Sequence, residues 1–246
     1  MAIALSASAA PAAAQQPVAF LPRFDFHLAA ERLSGDDRRF AWDADFGGEL
    51  DVVDYGVGRF TFTANYQVVM GNQLRRFDPN QGNYILAGSA SARAAGFEFA
   101  GQFYHQSRHL SDRPKTAAVD WNMLGIRLTR DVVRDRSEWQ ARADVRRVVQ
   151  RSFVDYRWEV DAEGRGRIAL RPRFALISAV GARVIGVDAT RDRSTQAGFL
   201  AEGGVRIEGN AGAMELFVAA ERRIDPFPVE FGTVTWLKAG FRLLSR

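Results

Sequence analysis

Apolar and polar residues alternate along nearly the whole of this 246-residue chain. An early segment sets Phe24, Phe26, Leu28 and Ala30 against Arg23, Asp25, His27 and Glu31. The next sets Phe40, Trp42, Ala44, Phe46, Leu50 and Val52 against Asp43, Asp45, Glu49 and Asp51. A third sets Phe60, Phe62, Ala64, Tyr66 and Val68 against Thr61, Thr63, Asn65 and Gln67. Similar segments lie around Leu86, from Phe97 to about Tyr104, and, with a blurred pattern, over about 117–130. Others centre on Ala143, on Tyr156 and Trp158, on Leu170 and Phe174, and on Phe199, Leu216 and Leu237. Side chains of a strand alternate between its two faces, so each segment predicts a strand with one apolar and one polar face. There are twelve of them, an even number.

The connections alternate as well. Short turns are expected at 55–58, 95–96, 163–166 and 209–212, with 131–136 a slightly longer member of that set. Longer links are expected at 34–39, 71–83, 107–116, 149–153, 179–195 and 223–233. Strands of about 10–13 residues with short turns at one end and long links at the other fit a closed antiparallel transmembrane β-barrel, with short periplasmic turns and longer extracellular loops. The apolar face would then meet lipid, and the face rich in Arg, Glu and Asp would line the lumen. A soluble sandwich or lipocalin-like barrel has the same period with its faces reversed. The strand number and loop asymmetry favour the membrane form.

Composition narrows this further. The chain is 47% hydrophobic, too apolar for a disordered segment. No run of 18 apolar residues follows the N-terminus, so a membrane helix is excluded there. Residues 1–14, ending in the small residues Ala12, Ala13 and Ala14, read as a secretory signal cleaved after Ala14. It lacks the usual basic region, which implies an earlier start. Residues 15–246 would form one barrel domain in the outer membrane of a Gram-negative-type bacterium, with the barrel assembly machinery as a partner during insertion. With no cysteine, no disulfide supports the fold. Of the 33 basic residues, 31 are arginine, which suits ion pairs in a lumen or contacts with lipid phosphate. The net charge of +4 is small and interleaved with acids, which argues against nucleic-acid binding. No phosphate loop, dinucleotide fingerprint or metal-ligand spacing is present, so no cofactor or metal is expected.

The chemistry candidates cluster after the fifth strand. His105, Ser107, His109 and Ser111 share parity with Phe97, Phe99 and Phe103, and Asp112 follows. Residues two apart on a strand face the same way, within reach of a His–Ser hydrogen bond. A third member of a triad is open. Asp120 and Asn122 take lumen parity if Val119, Trp121 and Met123 face lipid, and meet the cluster instead if the register or facing changes at the strand end. A polar network of His105, Gln106 and His109 that fixes the rim is the structural alternative. His27 reads as a packing or ion-pair residue.

The His-x-Ser pairs resemble those of outer-membrane phospholipase A and the lipid A 3-O-deacylase, over three or four residues. That resemblance implies lipid hydrolysis at the outer leaflet, with phospholipid or lipopolysaccharide as substrate. From about Asp78 to Arg113 the chain resembles an uncharacterised family of bacterial outer-membrane barrels that carries a His-Gln-Ser-Ser-His-Leu-Gly-Asp-Glu stretch. Here it reads His105-Gln106-Ser107-Arg108-His109-Leu110-Ser111-Asp112-Arg113, departing at Arg108, Ser111 and Arg113. Loss of the final acid weakens any triad or cation site built on it. The reading carried forward is a non-enzymatic outer-membrane barrel, structural or a narrow channel. The alternative is an outer-leaflet lipid hydrolase of the serine-esterase type.

Overall fold

The computed structural model describes residues 17–111, 113–114 and 117–245; the segment read as a signal, 1–14, lies outside them. Twelve strands form one closed antiparallel barrel. They are β1 (Ala19–Leu33), β2 (Trp42–Asp54), β3 (Arg59–Gly71), β4 (Asp78–Ala94), β5 (Phe97–Leu110) and β6 (Val119–Arg134), followed by β7 (Ser137–Ser152), β8 (Tyr156–Arg171), β9 (Phe174–Val187), β10 (Gln196–Glu208), β11 (Gly212–Ile224) and β12 (Thr233–Ser245). Each pairs with its sequence neighbours, and β1 closes on β12 from His27 opposite Leu244 to Leu33 opposite Lys238. Closure leaves no open sheet edge, as a sheet in lipid requires.

The apolar face points outward. Phe24, Phe62, Phe99, Ile126, Val180 and Leu237 are all exposed on the outside, which forms a lipid-facing wall. The charged face points inward and is laced with ion pairs. Asp51 receives Arg23 and Arg59, Asp144 receives Arg127, and Arg242 bridges Glu202 and Glu215. His27 Nε2 lies 2.5 Å from Asp45 Oδ1 on this inner face, the ion-pair position expected of it. A buried carboxylate is tolerated there because arginine donors replace its water.

One end of the lumen departs from that plan. At the long-link end part of the inward surface is apolar. Val119, Trp121 and Met123 of β6 pack with Val154, Tyr156 and Ile185, while Phe40 packs with Phe227 and Trp236. The blurred pattern of β6 follows directly, since both of its faces are apolar there. Tyr156 and Trp158 were expected on one face. A register shift between them turns Tyr156 inward, leaving it 2% exposed, and Trp158 outward. The 225–232 link folds over this end. Arg108 donates from its buried guanidinium to the Asp225 carbonyl at 2.5 Å, Gln81 donates to the Pro226 carbonyl at 2.9 Å, and Tyr156 Oη donates to Asp225 Oδ2 at 2.6 Å. Arg193 holds both Asp155 and Asp225, so the mouth is capped by a buried polar latch over an apolar layer.

Several boundary expectations need correction; the link expected at 179–195 is confined to 188–195, because β9 runs on to Val187. The expected turn at 163–166 lies inside β8, and the chain reverses instead at Pro172 and Arg173. Gly166 is there for space: a Cβ would collide with the Trp139 ring on the neighbouring strand. Likewise β5 runs on to Leu110 and β4 begins at Asp78, so the links between β3 and β4 and between β5 and β6 are shorter than expected. His105, Ser107 and His109 therefore sit on a rigid strand.

The capped mouth carries a prediction. Reconstituted in a planar bilayer, the protein should show no steady porin-like conductance. Shortening the 225–232 link should raise conductance. Steady conductance from the intact chain would mean the cap does not close the lumen.

Candidate active site

The hydrogen-bond ladder places Asn122 of β6 directly opposite His105 of β5, and Asp120 opposite Ser107. Directly paired residues share a face. Asn122 and Asp120 therefore point outward with His105 and Ser107, not into the lumen. The premise that fails is the facing of Val119, Trp121 and Met123, which are 1%, 1% and 0% exposed and belong to the internal apolar layer.

The outward side chains make a connected set. His105 Nδ1 lies 2.7 Å from Asn122 Oδ1. Asn122 Nδ2 donates to Gln150 Oε1 of β7. That donation fixes which end of the amide meets His105: the oxygen. An amide oxygen can only accept, so His105 must carry its proton on Nδ1, leaving Nε2 with a free lone pair. Such an imidazole is poised to take a proton through Nε2. Ser107 follows two residues on along the same face. It lies 3.3 Å from His109 Nε2, and the His109 ring stands edge-on to Tyr84 with centroids 5.3 Å apart. The serine hydroxyl thus meets His109, and His105 stands two residues back along the same face.

The neighbours in sequence point the other way. Gln106 is buried on the lumen side and Arg108 holds the cap. The expected network of His105, Gln106 and His109 therefore does not form as one unit, because alternate residues of β5 face opposite sides of the wall. Ser111 lies beyond the strand, where its amide donates to the Asn80 carbonyl at 3.1 Å. The second expected pair, His109 with Ser111, gives way to His109 with Ser107. Asp112 lies outside the described residues. Arg113 pairs with Asp78 at 2.6 Å and ties the link down. Gln150 was not singled out from the sequence. Its role depends on a bulge in β7 that brings it opposite Asn122, which residue spacing alone does not reveal.

Solved structures with this architecture are outer-membrane barrels. Outer membrane phospholipase A from Escherichia coli is similar at a TM-score of 0.56 and 12% identity, over 92% of this chain and 98% of that one. The calcium-bound outer membrane phospholipase dimer of Salmonella typhi is similar at 0.55 and 12% identity, over 91% of this chain and 90% of that one. A third is the Escherichia coli enzyme at pH 6.1 with an active-site asparagine replaced by alanine, at 0.54 and 11% identity, over 92% and 91%. No family model matches the sequence, and no curated protein matches it. The fold is that of a bacterial outer-membrane β-barrel, in keeping with the apolar outer wall. Among the described residues no group of three or more histidine, cysteine, aspartate or glutamate side chains is placed to hold a metal ion.

Proposed function

We propose that this barrel is an outer-leaflet lipid esterase, with Ser107 as nucleophile, His105 as base and Asn122 as the group that orients the base. The observation that carries the reading is the 2.7 Å contact between His105 Nδ1 and Asn122 Oδ1 on the lipid-facing wall beside Ser107. A nucleophile, a base and an orienter are the three parts of a serine-hydrolase triad, recognised by geometry. The similar Escherichia coli protein is by name a phospholipase, and one of its structures is an active-site variant lacking an asparagine. Both facts agree with Asn122 in this role. The long links are read as extracellular, which sets the site at the height of the outer leaflet.

In the proposed reaction, Ser107 Oγ attacks a lipid ester carbonyl as its proton passes to His105 Nε2. The tetrahedral intermediate collapses, the ester C–O bond breaks, and the leaving alkoxide takes the proton from His105. Water then releases the fatty acid from the acyl-serine by the same relay. His109 Nε2 lies 3.3 Å from Ser107 and its ring stands edge-on to Tyr84; His105 is assigned the base on its contact with Asn122, which orients its ring toward the same face as Ser107. This reading places the protein among enzymes rather than the structural barrels or channels that the sequence put first.

A fluorophosphonate probe tests it. The folded protein in detergent should be labelled once, at Ser107, and should release fatty acid from phospholipid or lipopolysaccharide. Ser107→Ala should lose both signals. An unlabelled protein that releases no acyl chain from any of these lipids would end the proposal.

A further inference from the structure

Arg147 projects from β7 opposite Leu124 of β6 and Trp158 of β8. It is exposed on the outer wall, and Val145 and Val149 beside it on the strand are exposed too. The inward arginines behave differently: Arg127 pairs with Asp144 and Arg183 with Glu159. Among the described residues Arg147 makes no ion pair, hydrogen bond or ring contact. A guanidinium stays charged, and a charge among apolar side chains against lipid needs a counter-charge. Its long stem can carry the head toward the headgroup layer. What that layer offers is phosphate, which a guanidinium grips through two parallel N–H donors.

Its height matches that of the serine. Arg147 is the eleventh residue of β7 counted from Ser137, and Ser107 is the eleventh of β5 counted from Phe97. Both strands start from the short-turn rim and run in the same direction, so the two residues stand level on the wall. Only β6 lies between them; Ser107 faces Asp120 and Arg147 faces Leu124, four residues further along β6, so the two backbones are about 10 Å apart across the strands and about 16 Å apart along the diagonal. A lipid with its ester at Ser107 and its headgroup turned toward β7 would meet the arginine reaching back from the far side. The indole of Trp158 beside it suits the same interfacial layer.

We infer that Arg147 is a headgroup-phosphate site that positions a phosphate-bearing membrane lipid across the wall from Ser107. Its role in turnover rests on the esterase reading, whereas lipid retention can be measured without turnover. The test uses the Ser107→Ala protein in detergent, incubated separately with phosphatidylglycerol, with diphosphorylated lipid A and with diacylglycerol. Bound lipid is counted by native mass spectrometry. A phosphorylated lipid should be retained and diacylglycerol should not, and the two phosphorylated arms identify the source of the phosphate. Adding Arg147→Gln should lower retention about tenfold, and Arg147→Lys should restore part of it. Heat-modifiable migration on gels confirms that each variant is a folded barrel, and Arg147→Lys stands in if the glutamine variant does not fold. Equal retention of diacylglycerol, or retention unchanged in Arg147→Gln, overturns the inference. Absence of acyl release from the unsubstituted chain would overturn only the esterase reading.

Discussion

Replacing His105 with alanine is expected to cut the rate of acyl release by about 10²–10⁴-fold, the range typical of a positioned general base. The barrel should remain folded, because His105 sits on the outer wall and supports no buried layer. Asn122→Ala should cost less, about 10²-fold, because it removes the contact that holds the ring in place and leaves the base itself intact. His109→Ala should cost less than either. The ordering His105, Asn122, His109 is the informative outcome, read as kcat on phospholipid dispersed in detergent. If His109→Ala proves the most damaging, the base is His109 and the 2.7 Å contact of His105 with Asn122 is structural.

Glu159→Ala should be the most destabilising single change in the lumen, at about 3–5 kcal/mol. Glu159 is 0% exposed. One carboxylate oxygen accepts from Trp121 Nε1 at 3.0 Å, and the other accepts from Arg183 Nη2 at 2.6 Å. Arg146 stands 3.7 Å away. Truncation therefore strands an indole donor and leaves Arg183 with only a distant acid, Asp161 at 3.7 Å. The penalty comes from the groups left behind, so replacing Glu159 and Arg183 together with apolar residues should recover part of the loss. Urea unfolding in micelles, followed by tryptophan fluorescence, measures it. A cost below about 1 kcal/mol would mean that water reaches this layer and solvates Arg183.

Much of the barrel can be read from residue spacing, because a period of two is a geometric consequence of strand backbone. Twelve strands follow from it, and the outward direction of the apolar face follows from the strand number and the loop asymmetry taken with it. The failures share a physical cause. At Gly164 and Gly166 glycine was read as a turn, yet Gly166 clears room for a tryptophan ring on the adjacent strand. At β6 both faces are apolar, so the pattern could not say which face met lipid. Trp121 and Met123 plug the mouth, so the lipid-facing alternative for them fails. With Trp121 turned inward, Asn122 must turn outward, the alternative that brings it to the cluster, and pairing with β5 does the rest. His105 and Ser107 were visible in sequence because they lie two apart on a single strand. The choice of Asn122 needed the register between β5 and β6, and Gln150 was not visible because its place depends on a bulge in β7.

The seam between β1 and β12 has a consequence for how the molecule is made. Residues Ala19 to Phe26 extend past the paired stretch, and near its end the Phe26 amide reaches the Ser245 hydroxyl, 219 positions away in the chain. Every other strand pair is a hairpin that can form as soon as its own two strands exist. This junction alone requires the two ends of the domain to meet, and the entropic cost of that meeting is incurred before any of its hydrogen bonds form. The other eleven pairings are therefore expected to zip first as a curved open sheet, with the joining of the ends as the slow and last step of assembly. A destabilising change at Glu31 or Lys238, which face each other across the join at 2.5 Å, would then act mainly on how fast the cylinder shuts.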